Sequence, residues 1–252
     1  MAKRVYCNND WFFTEEFNET LLQDNCNTES MTAVRIPHTC KETPFHYFDE
    51  HIYQMVSGYR KEFVADAEWE GKEVLLTFDA VGHDTEVFLN GEKIGEHHCG
   101  YTAFTMNVSE QLKFGEKNVL TVKVDSRESV NIPPFGFVVD YMTYGGIYRD
   151  VYFDIYNKNY IADVFVKNQI VSVKEKKATL ISEISVNKEV EDAHIRQSLK
   201  KSNGTEFEVL GESKLSGNKI TLSYDVCDVM LWDTEHPHLY DCLLYTSPSP
   251  RD

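Results

Sequence analysis

With 252 residues, 42 % of them hydrophobic and 13 % aromatic, the chain holds enough apolar material for one large or two ordinary cores, which argues against disorder. Its 41 acidic and 25 basic side chains leave a formal charge of −16, which repels phosphate backbones and anionic lipid; a neutral ligand such as a sugar stays open. The N-terminal MAKRVYCNNDWFF lacks an apolar signal core, and no stretch nears the roughly 20 apolar residues of a membrane span, so the reading is a cytoplasmic protein.

In chain order, Trp11-Phe12-Phe13 reads as a first strand, and a polar stretch from Asn25 to Ser30 leads to Val34-Arg35-Ile36-Pro37-His38-Thr39, where proline ends regular pairing. Phe45 to Tyr53 is dense in aromatics and histidine, and Gly58 to Phe63 mixes aromatic with polar residues. That composition suits a half-buried strand at a ligand rim and suits an interface equally. Val74 to Phe78 is a short apolar run of β-formers. Glu86 to Leu89 then runs into Asn90-Gly91 and Glu92-Lys93-Ile94, and an Asn-Gly pair between two such runs predicts a tight hairpin.

After a turn at Phe114 to Asn118, Leu120, Val122 and Val124 alternate with Thr121, Lys123 and Asp125, which predicts one core face and one solvent face. Residues Asn131 to Gly136, with Pro133-Pro134, predict an irregular loop. Tyr144 to Val151 predicts a returning strand, with Ile147, Arg149, Val151, Phe153 and Ile155 on one face.

From Tyr160 the strands become weaker and more charged. Leu180, Ile184 and Val186, then Ile195, Gln197 and Leu199, then Ile220, Leu222, Tyr224 and Val226 repeat the period of two, and turn chemistry at Ser202-Asn203-Gly204 and Ser216-Gly217-Asn218 separates them. Several short strands in this span predict a second β-sandwich. Tyr245 to Asp252 has no strand pattern and two prolines, and reads as a non-native or disordered tail. The predicted organisation is 1–157, 158–244 and 245–252.

Six cysteines at positions 7, 26, 40, 99, 227 and 242 form no CxxC pair, which suits reduced thiols. Without a signal peptide, the N-x-S/T sequons at Asn18, Asn107 and Asn203 read as chance. His97 and His98 point to opposite faces of a strand, and His236-Pro237-His238 lacks a clear third ligand, so no metal site and no cofactor is predicted. No Gly-x-Ser-x-Gly elbow is present.

The order "apolar strand, Asp-Ala-Val, acidic strand, Asn-Gly, Gly-x-His, Gly-Tyr-x-x-Phe" between Gly71 and Phe104 resembles the N-terminal sugar-binding domain of family 2 glycoside hydrolases. Ile36-Pro37-His38-Thr39 resembles that family's Leu-Pro-His-Thr/Asp-Trp turn, with Cys40 where a Trp is usual. Gly58-Tyr59-Arg60-Lys61-Glu62-Phe63, Gly145-Gly146-Ile147-Tyr148-Arg149-Asp150-Val151 and Leu231-Trp232 through Pro237-His238-Leu239-Tyr240 resemble three further family motifs.

The resemblance implies an all-β chain: a jelly-roll β-sandwich followed by an incomplete immunoglobulin-like β-sandwich. In the family a catalytic TIM barrel comes next, and its two glutamates perform retaining hydrolysis of terminal β-glycosides. Such chemistry needs a carboxylate pair about 5 to 5.5 Å apart, in this family at barrel strand ends. No βα repeat is present, so no catalytic residue is assigned and the chain by itself is expected to be inactive. By counting from the motifs, Asp140 and Gln54 fall where family members bond sugar hydroxyls, an acceptor carboxylate and an amide. The implied partners are a β-linked sugar substrate, the barrel domain and further copies of the intact protein, most directly a β-galactosidase. The other reading is a stand-alone carbohydrate-binding module.

Overall fold

The computed structural model describes residues 3–46, 49–130, 143–201 and 204–248. The chain is all-β, a jelly-roll sandwich followed by an immunoglobulin-like sandwich, and it divides into two compact units, 1–158 and 159–252.

The first unit contains β1 (Lys3–Tyr6), β2 (Trp11–Thr14), β3 (Thr32–Val34), β4 (Val56–Val64), β5 (Glu73–Phe78), β6 (Asp84–Leu89), β7 (Glu92–His98), β8 (Phe104–Asn107), β9 (Lys117–Asp125) and β10 (Val151–Tyr156). They form two antiparallel sheets, β3-β2-β4-β9-β6-β7 and β1-β10-β5-β8. The core lies between them and contains Trp11, Tyr59, Leu76, Phe78, Val87, Leu120, Val122 and Phe153, each at most 2 % exposed. Rings make its centre: Trp11 meets Tyr59 edge-on at 6.5 Å, and Phe153 lies 5.2 Å from Phe63 and 5.5 Å from Trp69.

The Asn90-Gly91 hairpin forms as the sequence predicts, with Leu89 opposite Glu92 and φ of 53° and 87° at the two turn residues. Three expectations need correction. Thr121 does not face solvent: it is 1 % exposed, because the short 3-10 turn Glu19–Leu22 covers that face and the Leu21 carbonyl accepts from both Thr121 Oγ1 (3.1 Å) and the buried Arg60 Nη1 (2.6 Å). Residues 50–53 form a 3-10 turn (Glu50–Tyr53) capped by Asp49. The Tyr144 to Val151 run is irregular until Val151; Ile147 is buried, but Arg149 is exposed. The two glycines explain why no strand forms there, since they let this backbone press between two others, as described below.

The second unit consists of β11 (Ile161–Ser172), β12 (Lys177–Lys201), β13 (Glu208–Val226) and β14 (Tyr240–Pro248). Its expected separate strands are halves of two long, bent ones. The first half of β12 pairs β11 and its second half pairs β14, while β13 follows both halves with register breaks around Val190, opposite Gly217 at φ 96°. Gln197 Nε2 donates to Ser182 Oγ at 2.7 Å. Fifteen residues of straight strand would span about 50 Å, so β12 must fold back on itself and supply both layers of the sandwich. Ile184 and Val186 from one half and Ile195 from the other share one core with Leu215 and Leu222.

The tail expectation is corrected in part. β14 continues to Pro248, with Thr246 opposite Ile195, because the edge of β12 offers unpaired backbone groups that Tyr245 to Ser247 can meet before proline ends the ladder. Residues 249–252 lie outside the described residues.

Candidate functional site

Gln54 ends the Glu50–Tyr53 turn, where its N–H donates to the His51 carbonyl at 3.0 Å. Its side-chain Oε1 accepts from the Glu128 backbone N–H at 2.7 Å. The amide carbonyl is therefore engaged in holding two chain segments together, and Nε2 is the donor of this half-buried side chain.

Ser126 completes this clamp. Its N–H donates to the Met55 carbonyl at 2.9 Å, and its hydroxyl reaches the carbonyls of Tyr53 and Met55. Next to it, Arg127 forks onto Asp125 with bonds of 2.9 and 2.7 Å. Burial works to raise the Asp125 carboxyl, but the Arg127 bonds outweigh it and hold the group below the usual carboxylate range. His83 lies behind them. It is 5 % exposed, its Nδ1 has no hydrogen-bond partner among the described residues, and burial favours its neutral form while Asp125 and Glu128 oppose.

Beside the clamp, three backbones meet. Gly146 exchanges hydrogen bonds with Gly82 (3.0 and 3.1 Å), while the N–H groups of His38 and Cys40 donate to Ile147 (2.8 Å) and Gly145 (3.0 Å). A Cβ on Gly146 would lie 2.6 Å from Tyr59 Oη and 2.7 Å from the His38 carbonyl, and one on Gly145 would lie 2.5 Å from Ser126 Cβ. Only glycine permits that approach. His38 Nδ1 and Tyr59 Oη share a bond of 2.9 Å, and Tyr53 bonds Thr43 at 2.6 Å and packs edge-on against Tyr144 at 5.3 Å.

Of the two sequence-predicted site residues, Gln54 lies in this clamp. Asp140 lies outside the described residues. Sequence reasoning missed Ser126, Glu128, His83 and Tyr53. Their partners are up to 74 positions away, and the one local signal was the break in alternation at Asp125-Ser126-Arg127. Elsewhere His98 bonds Asp84 and His97 bonds Thr102; among the described residues no three His, Cys, Asp or Glu side chains are grouped to hold a metal ion.

Residues 27–159 match the profile of "Glycosyl hydrolases family 2, sugar binding domain", and residues 159–249 that of "Glycosyl hydrolases family 2". The chain belongs to glycosyl hydrolase family 2. Its relatives in that family include the β-galactosidases of Thermoanaerobacter pseudethanolicus and Thermoanaerobacterium thermosulfurigenes, each 34 % identical over 93 % and 96 % of the chain. A β-glucuronidase of Bacteroides fragilis is 32 % identical over 69 % of it. The chain spans about a third of the length of those β-galactosidases, 32 % and 34 %. Among solved structures, Bacteroides uniformis β-glucuronidase 2, covalently bound to cyclophellitol-6-carboxylate aziridine, superposes on 99 % of the chain with a TM-score of 0.83 at 24 % identity, using 31 % of its own length. This likeness establishes the shared family 2 fold.

Proposed function

We propose that this chain is the sugar-binding and immunoglobulin-like part of a cytoplasmic, retaining β-galactosidase that acts on terminal β-galactosides as a homo-oligomer. The observation that carries the choice of galactose is the pair of β-galactosidase relatives that are 34 % identical along nearly the whole chain; the β-glucuronidase relatives that match over 92 % of it are 27 % and 24 % identical, and one at 32 % covers 69 %. In this reading the chain supplies no catalytic carboxylate. Gln54 donates its amide to a sugar hydroxyl, and Asp140 accepts from neighbouring hydroxyls, both at the mouth of a site whose nucleophile and acid/base stand on another domain.

A hybrid tests it: this chain replaces the corresponding third of the Thermoanaerobacter β-galactosidase, and aryl β-galactoside and aryl β-glucuronide hydrolysis are measured. The expected hybrid prefers the galactoside, loses about tenfold or more in kcat/KM on Asp140→Ala, and the separate 252-residue chain hydrolyses neither substrate. A folded hybrid that prefers the glucuronide overturns the specificity. Turnover by the chain alone overturns the division of labour, and sugar binding by it with no effect of Asp140→Ala in the hybrid overturns it in favour of a binding module.

A further inference from the structure

On the outer face of the β9-β6-β7 edge of the first unit, strand register sets carboxylates against one another. Asp84 of β6 stands opposite Asp125 of β9, and Glu86 of β6 stands opposite Glu96 of β7. Like charges directly across a ladder repel, so each needs a counter-charge. Arg127 forks onto Asp125, Lys123 reaches Glu86 at 2.6 Å, and Lys93 bridges Glu86 at 2.9 Å and Glu96 at 2.8 Å. The partner of Asp84 is His98, its register neighbour on β7, with Nδ1 2.6 Å from Asp84 Oδ1 and Nε2 3.4 Å from Glu96 Oε1. Four carboxylates thus face three permanent cations and one imidazole.

No other charge competes for that imidazole from the packed elements among the described residues. β8, the other strand against β7, carries Phe104, Thr105, Met106 and Asn107. On β7 itself, His97 turns to Thr102, and Glu92 lies at the hairpin end opposite Leu89. The strand then enters the Cys99 to Thr102 turn, whose Gly100 carbonyl accepts the Tyr148 hydroxyl and whose Gly100 packs against His83, next to Gly82.

We propose that His98 is a pH-responsive clasp: protonated, it completes the charge balance of the ladder and ties the end of β7 to β6, and deprotonated, it leaves the ladder one negative charge in excess and loosens that end. Hydrogen bonding and charge from Asp84, with a smaller contribution from Glu96, raise the His98 pKa above its ordinary value. The sign follows: the clasp is fully engaged below about pH 6.5, the unfolded value, and is lost as pH rises through the raised folded one. It is independent of the sugar contacts proposed for Gln54 and Asp140.

The test is an NMR titration of His98 in the 252-residue chain, together with amide exchange of Glu96 to His98 corrected for intrinsic rates. The expected His98 midpoint lies above that of the unfolded chain and falls in Asp84→Asn. Protection at these amides drops about two- to fivefold between pH values of about 5.5 and 8, a size set by exposed ion pairs, and His98→Gln abolishes that pH dependence with an otherwise native amide spectrum. A His98 midpoint at the unfolded value, or an equal drop in His98→Gln, overturns the proposal.

Discussion

At the scale of single residues, the close backbone contact around Gly146 sets the sharpest expectation. Its φ of 111° and its contacts with Tyr59 and His38 leave no place for a methyl group. Gly146→Ala should cost about 3 kcal/mol, read as a shift of the first unit's urea midpoint. Cys40, where the family usually has Trp, is 3 % exposed, and its Sγ lies 2.9 Å from where a Gly145 Cβ would be. Nothing in the structure explains the departure. The cysteines also differ in their surroundings. Burial pushes the Cys7 thiol up to about 12 and raises that of Cys40, whereas a hydrogen bond from Thr102 and the Tyr101 N–H lower that of Cys99. Timed alkylation at neutral pH, read by peptide mass spectrometry, should label Cys99 first and leave Cys7 and Cys40 unmodified until unfolding. None of this ordering was legible in the spacing of the cysteines, because it depends on which backbone and side chains surround each sulfur.

At the scale of elements, the Asn90-Gly91 hairpin was fully legible. Two residues that tolerate positive φ, set between β-forming runs, admit one short-range solution. Asn90 has a second task that the sequence did not show: its amide donates to the Gln111 carbonyl and Asn118 Oδ1, and its Oδ1 accepts the Val119 N–H at 3.0 Å. Asn90→Ala therefore removes both a favourable turn residue and three hydrogen bonds, and should lower stability by about 2 to 3 kcal/mol in urea; Asn90→Asp keeps the acceptor for Val119 but sets a carboxylate oxygen against the Gln111 carbonyl and Asn118 Oδ1, and should destabilise as well. The face assignment of β9 was legible on the core side and wrong for Thr121. Period two says which side chains share a face; it does not say whether a distant turn such as Glu19–Leu22 comes to cover the other one. The surroundings of Gln54 were not legible: a motif count singled the residue out, and only the fold showed that Glu128 and Ser126 hold its segment.

At the scale of the whole molecule, the two units differ in what stabilises them. Among the described residues, the first packs a continuous core that includes Trp11, Trp69 and a chain of aromatic contacts, whereas the buried core of the second consists of Ile184, Val186, Ile195, Leu215 and Leu222. Burial of apolar area is the main favourable contribution to folding, so the second unit should unfold at lower urea. Tryptophan fluorescence reports this selectively, because Trp11 and Trp69 are buried and Trp232 is 60 % exposed. The expected result is a far-UV circular dichroism transition that begins before the fluorescence transition. Coincident curves would show that the two units unfold as one.

The sequence by itself determined the all-β class, the hairpin at the centre of the first unit, the buried faces of β9 and β10, and the family through motifs at Gly58, Gly145 and Leu231. Those features rest on local chemistry, on period-two alternation, turn residues and short spacings, which act between neighbours along the chain. Tertiary structure alone decided that β12 bends to build both layers of the second sandwich, that a remote turn covers Thr121 and Arg60, that chain past Leu244 pairs as a strand, and that Ser126 and Glu128 position Gln54. Each of those depends on contacts between segments far apart in the chain, whose partners are chosen by packing and by the need to satisfy buried backbone groups.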